Sequence, residues 1–90
     1  MELTFTKENN LFISEFTVDS DFNLHVERLD SGIFNIFQRT CSSGEYAIVN
    51  LDKNLDNMQV IDCDFTGTVY PKHIKLVSLK EPILAEVTFA

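Results

Sequence analysis

The sequence predicts an all-β domain, either a small antiparallel β-sandwich or a jelly-roll-like barrel of about eight strands. Valine, isoleucine, leucine and phenylalanine make up 31 of the 90 residues, whereas alanine occurs only three times, and this composition favours strands over helices. Several segments alternate apolar and polar residues with a period of two, which is typical of a strand with one buried face. Turn-forming residues interrupt the chain roughly every ten residues.

The individual strands follow from these alternations and from the turns between them. The turn clusters, in chain order, are KENN, DSD, DSG, CSSG, DKNLDN, TGT and KEP. The pair YP forces an extended entry into the seventh strand, because a residue that precedes proline avoids the helical region. The best helical candidate, 51–58, is predicted to be a loop. The predicted strands are 2–6, 11–18, 22–29, 33–40, 45–51, 59–65, 73–79 and 83–89.

The alternation also predicts which side chains form the core. In DFNLHVER, VIDCDF and ILAEVTF every second residue is apolar, and in HIKLVSL the pattern places Ile74 and Leu76 inward. The residues assigned to the core are Phe22, Leu24, Val26, Ile61, Phe65, Ile74, Leu76, Val87 and Phe89.

Length and charge limit the function classes. Residues 1–90 are expected to form one domain, and the net charge of −7 argues against binding to nucleic acid. No apolar run reaches the ~18–20 residues of a membrane-spanning helix, and the N-terminus lacks the features of a secretion signal. We therefore expect a cytoplasmic protein, or a virion protein if a phage encodes the chain. Cys41 and Cys63 are predicted to be free thiols, with Cys41 in a turn and Cys63 in the core.

Two groups of oxygen-bearing side chains are weak candidates for a cation site. Asp52, Asn54 and Asp56 have the spacing of the first half of a calcium loop, but the glycine and the glutamate of an EF-hand are absent. Asp62 and Asp64 share one strand face, and exposure of that face to solvent is enough to explain their spacing. Whether either group binds a cation stays open from sequence. The two histidines are isolated, and we predict no catalytic centre and no cofactor.

Four residues are candidates for a protein interface. GIFNIFQRT places Ile33 and Phe37 on one face of the strand, and Phe34 and Ile36 on the other. Both faces are therefore apolar, and other residues or another chain must pack against each of them. Tyr70 and Lys72, together with Lys75, are predicted to form a cationic and aromatic surface in an otherwise acidic protein. These features favour a homo-oligomer or a protein partner.

Two segments, FNIFQRTCSSGEYAIV and DFTGTVYPKHIKLVS, resemble small uncharacterised β-rich proteins encoded near virion-assembly genes in tailed phages and prophages of gut bacteria. The resemblance runs over most of the chain and consists of turns and strands. It implies a virion or head-associated structural role, and it supplies no catalytic or ligand-binding residues.

Taken together, these features predict a non-catalytic structural or protein-interaction domain. The alternative is a β-sandwich that binds a small ligand or a carbohydrate. Such a module uses exposed aromatic platforms, and here tryptophan is absent while Tyr46 and Tyr70 are the only tyrosines.

Overall fold

A computed structural model describes residues 1–49, 51 and 53–89, and it confirms an all-β fold of two antiparallel sheets, consistent with a small β-sandwich. Within the described ranges the sheets are built from eight strands, and a single turn of 3₁₀ helix covers Leu55–Asn57. The strands are β1 Thr6–Glu8, β2 Leu11–Val18, β3 Phe22–Glu27, β4 Phe34–Arg39, β5 Ala47–Ile48, β6 Val60–Phe65, β7 Lys72–Ser78 and β8 Leu84–Phe89.

The larger sheet has the strand order β1-β2-β7-β4-β5, so that β7 lies between β2 and β4. Its register pairs Ser14 and Ile36 with Leu76 from either side, and all three side chains are buried. The intervening residues of the same strands therefore point away from the core, because successive side chains alternate between the two faces of a strand.

The smaller sheet has the order β6-β3-β8, with β3 at its centre. Leu24 pairs with Cys63 on one side and with Val87 on the other, and all three are buried. The two sheets meet through aromatic packing as well, since the rings of Phe16 in β2 and Phe22 in β3 lie edge to face at 6.2 Å.

Most of the predicted core is confirmed, but the assignment of Phe89 was wrong. Phe89 pairs with Phe22 in the register, yet it is 45% exposed. Alternation identifies the side of the strand on which a residue lies. It does not say whether other residues cover that side, and Phe89 is the last residue of β8.

The N-terminal strand also differs from the prediction of 2–6. Leu3 N donates to Ala85 O at 2.9 Å, and Val87 N donates to Met1 O at 2.8 Å, so the first residues run beside β8. The chain enters the larger sheet at β1. Of the described residues in the predicted strand 45–51, the two residues of β5 are in a strand.

Arg28, at the end of β3, is buried, which the sequence pattern did not reveal. Its guanidinium donates to the carbonyl oxygens of Gly32 and Leu55, each at 2.9 Å, and to that of Met58. It also lies over the ring of Phe34, with Cζ 5.2 Å from the ring centroid. Burial lowers the pKa of this guanidinium. Arg28 thus joins the 3₁₀ turn and the loop before β4 to the end of the small sheet.

Candidate protein-interaction surface

The side of the larger sheet that faces away from the core forms a surface with many apolar groups, and we call it the outer face. It consists of every second residue of β2, β7 and β4, with the neighbouring positions of β5 and of the strand ends. Its central members are Leu11, Ile13, Glu15 and Thr17 from β2, His73, Lys75, Val77 and Leu79 from β7 and its end, and Ile33, Asn35, Phe37 and Arg39 from β4 and its start.

The apolar part of the outer face includes both residues that the sequence singled out on β4. Ile33 is 46% exposed, and Leu79 N donates to Ile33 O at 2.9 Å, which continues the sheet beyond the end of β7. Phe37 is half-buried and lies between Lys75 and Ile48 in the register. Ile48 is 55% exposed. Exposed apolar side chains that adjoin one another are typical of interaction surfaces.

The opposite end of the outer face carries cationic and aromatic groups. The ring of Tyr46 is 4.4 Å from Cζ of Arg39 and 5.7 Å from Nζ of Lys75. Thr17 Oγ1 and His73 Nδ1 form a hydrogen bond of 3.0 Å across β2 and β7. Of the residues predicted to form a cationic and aromatic surface, only Lys75 lies here, and Tyr46 supplies the aromatic ring.

Tyr70 and Lys72 do not belong to this surface, and their predicted grouping with Lys75 was wrong. The hydroxyl of Tyr70 donates to Asp21 Oδ1, which also accepts from Gly67 N at 3.1 Å. This hydrogen bond raises the pKa of Tyr70 to about 12. Nζ of Lys72 lies 5.2 Å from the Tyr70 ring. Lys72 and Lys75 are three residues apart on one strand, and an odd separation places them on opposite faces.

The smaller sheet presents an acidic outer surface. Glu27, Asp62, Asp64 and Glu86 share this side, and His25 stands among them. His25 Nδ1 lies 2.8 Å from Asp62 Oδ2, and its Nε2 lies 2.8 Å from Glu27 Oε2. The hydrogen bonds to Glu27 and then to Asp62 raise the pKa of His25, because both carboxylates favour the imidazolium form.

The described members of the two groups of candidate cation ligands are engaged in hydrogen bonds within the protein. Asp62 and Asp64 both accept from Asn23 Nδ2, at 2.6 and 2.9 Å. Asn54 Oδ1 accepts from Asp56 N at 3.2 Å, and Asp56 Oδ1 accepts from Phe34 N at 2.9 Å, so these two side chains organise the 3₁₀ turn. Asp52 lies outside the described residues. Within the described ranges, no group of three or more His, Cys, Asp or Glu side chains could hold a metal ion.

A groove of about 350 Å³ lies at one end of the small sheet. Phe89 lines it, together with Asn23, Asp64 and Thr88. The exposed ring of Phe89 and the neighbouring polar groups are the kinds of group that a sugar site combines, although the aromatic residues that line the groove are phenylalanines and neither of the two tyrosines is among them.

The two cysteines are free thiols, as predicted, with Cys41 exposed and Cys63 buried. The hydrogen bond with Ser43 lowers the pKa of Cys41, whereas burial raises that of Cys63.

No protein-family model, no curated protein and no solved structure matches this chain. Across the described part of the chain, no helix is long and apolar enough to cross a membrane.

Proposed function

We propose that this chain is a non-catalytic protein-interaction domain that binds its partner through the outer face. The observation that carries the proposal is that half-buried Phe37, its cross-strand partner Ile48 and exposed Ile33 all lie on a single sheet face. Covering apolar surface of this kind stabilises a complex by about 25 cal/mol per Å² before the costs of association. The neighbouring Tyr46 and Arg39 belong to the residue types that are enriched in interface centres.

The sequence resemblance supports a more specific version of this proposal, in which the domain is a head-associated component of a phage virion. Fractionation of phage particles on a density gradient, with an antibody against the chain, tests this version. Co-migration with intact particles supports a virion component. Recovery of all the protein in the unassembled fraction would refute the virion role and leave the interaction surface itself untested.

Phe37 and Phe89 form a matched pair of variants for testing the interaction surface. Tagged protein carrying Phe37→Asp is compared with tagged Phe89→Asp and with the parent in cells of the native host, and co-purified proteins are identified by mass spectrometry. We expect Phe37→Asp to lose a protein, or an untagged copy of the chain, that the parent and Phe89→Asp both retain. Circular dichroism verifies that both variants are folded. Identical co-purified proteins for all three chains would refute the proposal.

The alternative function, binding of a small ligand or carbohydrate, depends on the groove at Phe89. It predicts the reverse result for the same pair of variants. Phe89→Asp would abolish retention on a glycan array, and Phe37→Asp would leave it unchanged.

A further inference from the structure

We infer that the smaller sheet binds a basic, extended segment of a partner protein along the free edge of β6, where the segment adds an antiparallel strand. The site lies on the other sheet from the outer face, so the inference does not depend on the proposed function. It rests on two independent observations, which are the direction of the backbone groups of β6 and a row of charged side chains that ends at this edge.

The two edges of the smaller sheet differ in what covers them. The edge at β8 is paired, because the first three residues of the chain run beside it, with Glu2 opposite Glu86. At the end of β6, Arg28 N donates to Gln59 O at 2.8 Å. In this register the odd-numbered residues of β6 direct their backbone groups toward β3.

The backbone N–H and C=O groups of Val60, Asp62 and Asp64 therefore point away from β3, because successive residues of a strand direct these groups to opposite sides. Within the described part of the chain, no backbone hydrogen bond from outside the smaller sheet reaches these three residues. Free backbone groups of this kind are the template on which an extended peptide adds to a sheet by main-chain hydrogen bonds.

A row of charged side chains crosses the smaller sheet and ends at the same edge. The register aligns Glu2, Glu86, His25 and Asp62 in this order on the acidic outer surface. Asp62 is the last of them, and its side chain is 57% exposed. Hydrogen bonds with Asn23 and His25 lower the pKa of Asp62, which keeps its carboxylate charged. The next position in the row belongs to the added strand, where a lysine or arginine would face Asp62.

The neighbouring positions of β6 extend this requirement into a sequence pattern. Asp64 lies two residues after Asp62 on the same surface, and Val60, which is 53% exposed, lies two residues before it. An antiparallel strand that faces all three therefore begins with a basic residue opposite Asp64, continues with a second basic residue opposite Asp62, and ends with an apolar residue opposite Val60. One further residue separates each of these positions from the next.

Charge excludes a second copy of this chain as the occupant. The net charge of −7 attracts a basic segment and repels an acidic one. If the β6 edges of two copies paired with one another, the carboxylates of Asp62 and Asp64 would meet like charges, which destabilise cross-strand pairs. Lys53 lies near enough for its charge to help lower the pKa of Asp62, but among the described residues the ion pair of Asp62 is with His25.

A labelled peptide tests main-chain pairing separately from charge. The probe has about nine residues, and its centre reads lysine, threonine, lysine, threonine, valine. Fluorescence anisotropy is measured with the parent protein up to about 1 mM, which includes weak peptide affinities. In the antiparallel arrangement the two lysines direct their N–H groups toward β6 and the threonines direct theirs away. N-methylation of the lysines should therefore weaken binding at least about tenfold, whereas N-methylation of the threonines should change it less than about twofold.

Charge reversal at two matched positions locates the contact. Asp62→Lys and Glu15→Lys change the net charge equally, but Glu15 lies on the outer face of the other sheet. We expect Asp62→Lys to weaken binding of the unmethylated probe at least about tenfold more than Glu15→Lys does, since a like charge then faces a lysine of the probe. Circular dichroism verifies that both variants are folded.

The outcomes separate the two parts of the inference. Equal binding of the two N-methylated peptides would show that charge alone attracts the probe, and it would overturn the added strand. Equal losses in Asp62→Lys and Glu15→Lys, or a parent that does not bind the probe at about 1 mM, would overturn the site on β6. None of these results bears on the proposed function, which is decided by the co-purification experiment with Phe37→Asp.

Discussion

The assignment of the core can be tested by making the same substitution, phenylalanine to alanine, separately at Phe65 and at Phe89. Both residues are cross-strand partners of Phe22, one from β6 and the other from β8. Phe65 is 9% exposed, and its ring stacks on that of Phe22 with centroids 4.8 Å apart and 10° between the ring planes. Phe89 is 45% exposed. The two truncations should therefore differ in cost.

Phe65→Ala removes buried ring atoms and the stacking contact, and it leaves a cavity, so it should lower the free energy of unfolding by about 3–5 kcal/mol. Phe89→Ala removes a ring that is already nearly half in solvent and leaves no enclosed cavity, so we expect about 1 kcal/mol. For a domain of this size, 1 kcal/mol corresponds to roughly 4–8 °C in melting temperature. Phe65→Ala should therefore melt more than about 12 °C below the parent.

Urea unfolding monitored by circular dichroism gives both free energies, and calorimetry gives the melting temperatures. The slope of the unfolding free energy against urea concentration should be the same for both variants and the parent, so that differences in midpoint report stability. Equal losses at the two sites would refute the argument, because they would mean that Phe89 is as well covered as Phe65. A loss below about 1 kcal/mol for Phe65→Ala would place β6 in a different register.

Three further predictions concern other parts of the molecule. Arg28→Met should lower the free energy of unfolding by about 2–4 kcal/mol, since it leaves buried carbonyl oxygens without a donor; an unchanged urea midpoint would show that water or another donor replaces the guanidinium. The NMR titration of His25 should have its midpoint above the ordinary pKa of 6.5. Because the folded-state pKa is raised, the stability that His25 contributes is fully present below about pH 6.5 and is lost as the pH rises through the folded-state pKa. His25→Gln should remove this pH dependence, and a midpoint below 6.5 would contradict the hydrogen bonds to Glu27 and Asp62. Iodoacetamide should modify Cys41 in the native protein long before Cys63, whereas equal rates would mean that β6 opens readily.

The fold class could be predicted from sequence because strand periodicity is a local property. The alternation around Leu24, Ile61 and Leu76 assigned these side chains to the correct face of each strand, and the structure buries all three. The register that makes Val77 a neighbour of Ile13 could not be predicted in this way, because β2 and β7 are more than fifty residues apart and are joined only in the folded sheet.

Tertiary structure decided which side chains are buried at strand ends and which strands contribute to the outer face. Arg28 lies on the inward side in the alternating pattern of β3. Its charged side chain can be buried because carbonyl oxygens of a turn far away in the sequence accept its hydrogen bonds. Phe89 lies on the same side of β8 as the buried residues, yet its exposure depends on which residues pack over the end of that strand. Tyr46 joins Arg39 and Lys75 because β4 lies beside both β5 and β7. The sequence by itself determines which side of a strand is apolar, since that follows from neighbouring residues. Which strands lie side by side, and therefore which side chains share a surface, depends on contacts between residues far apart in the chain.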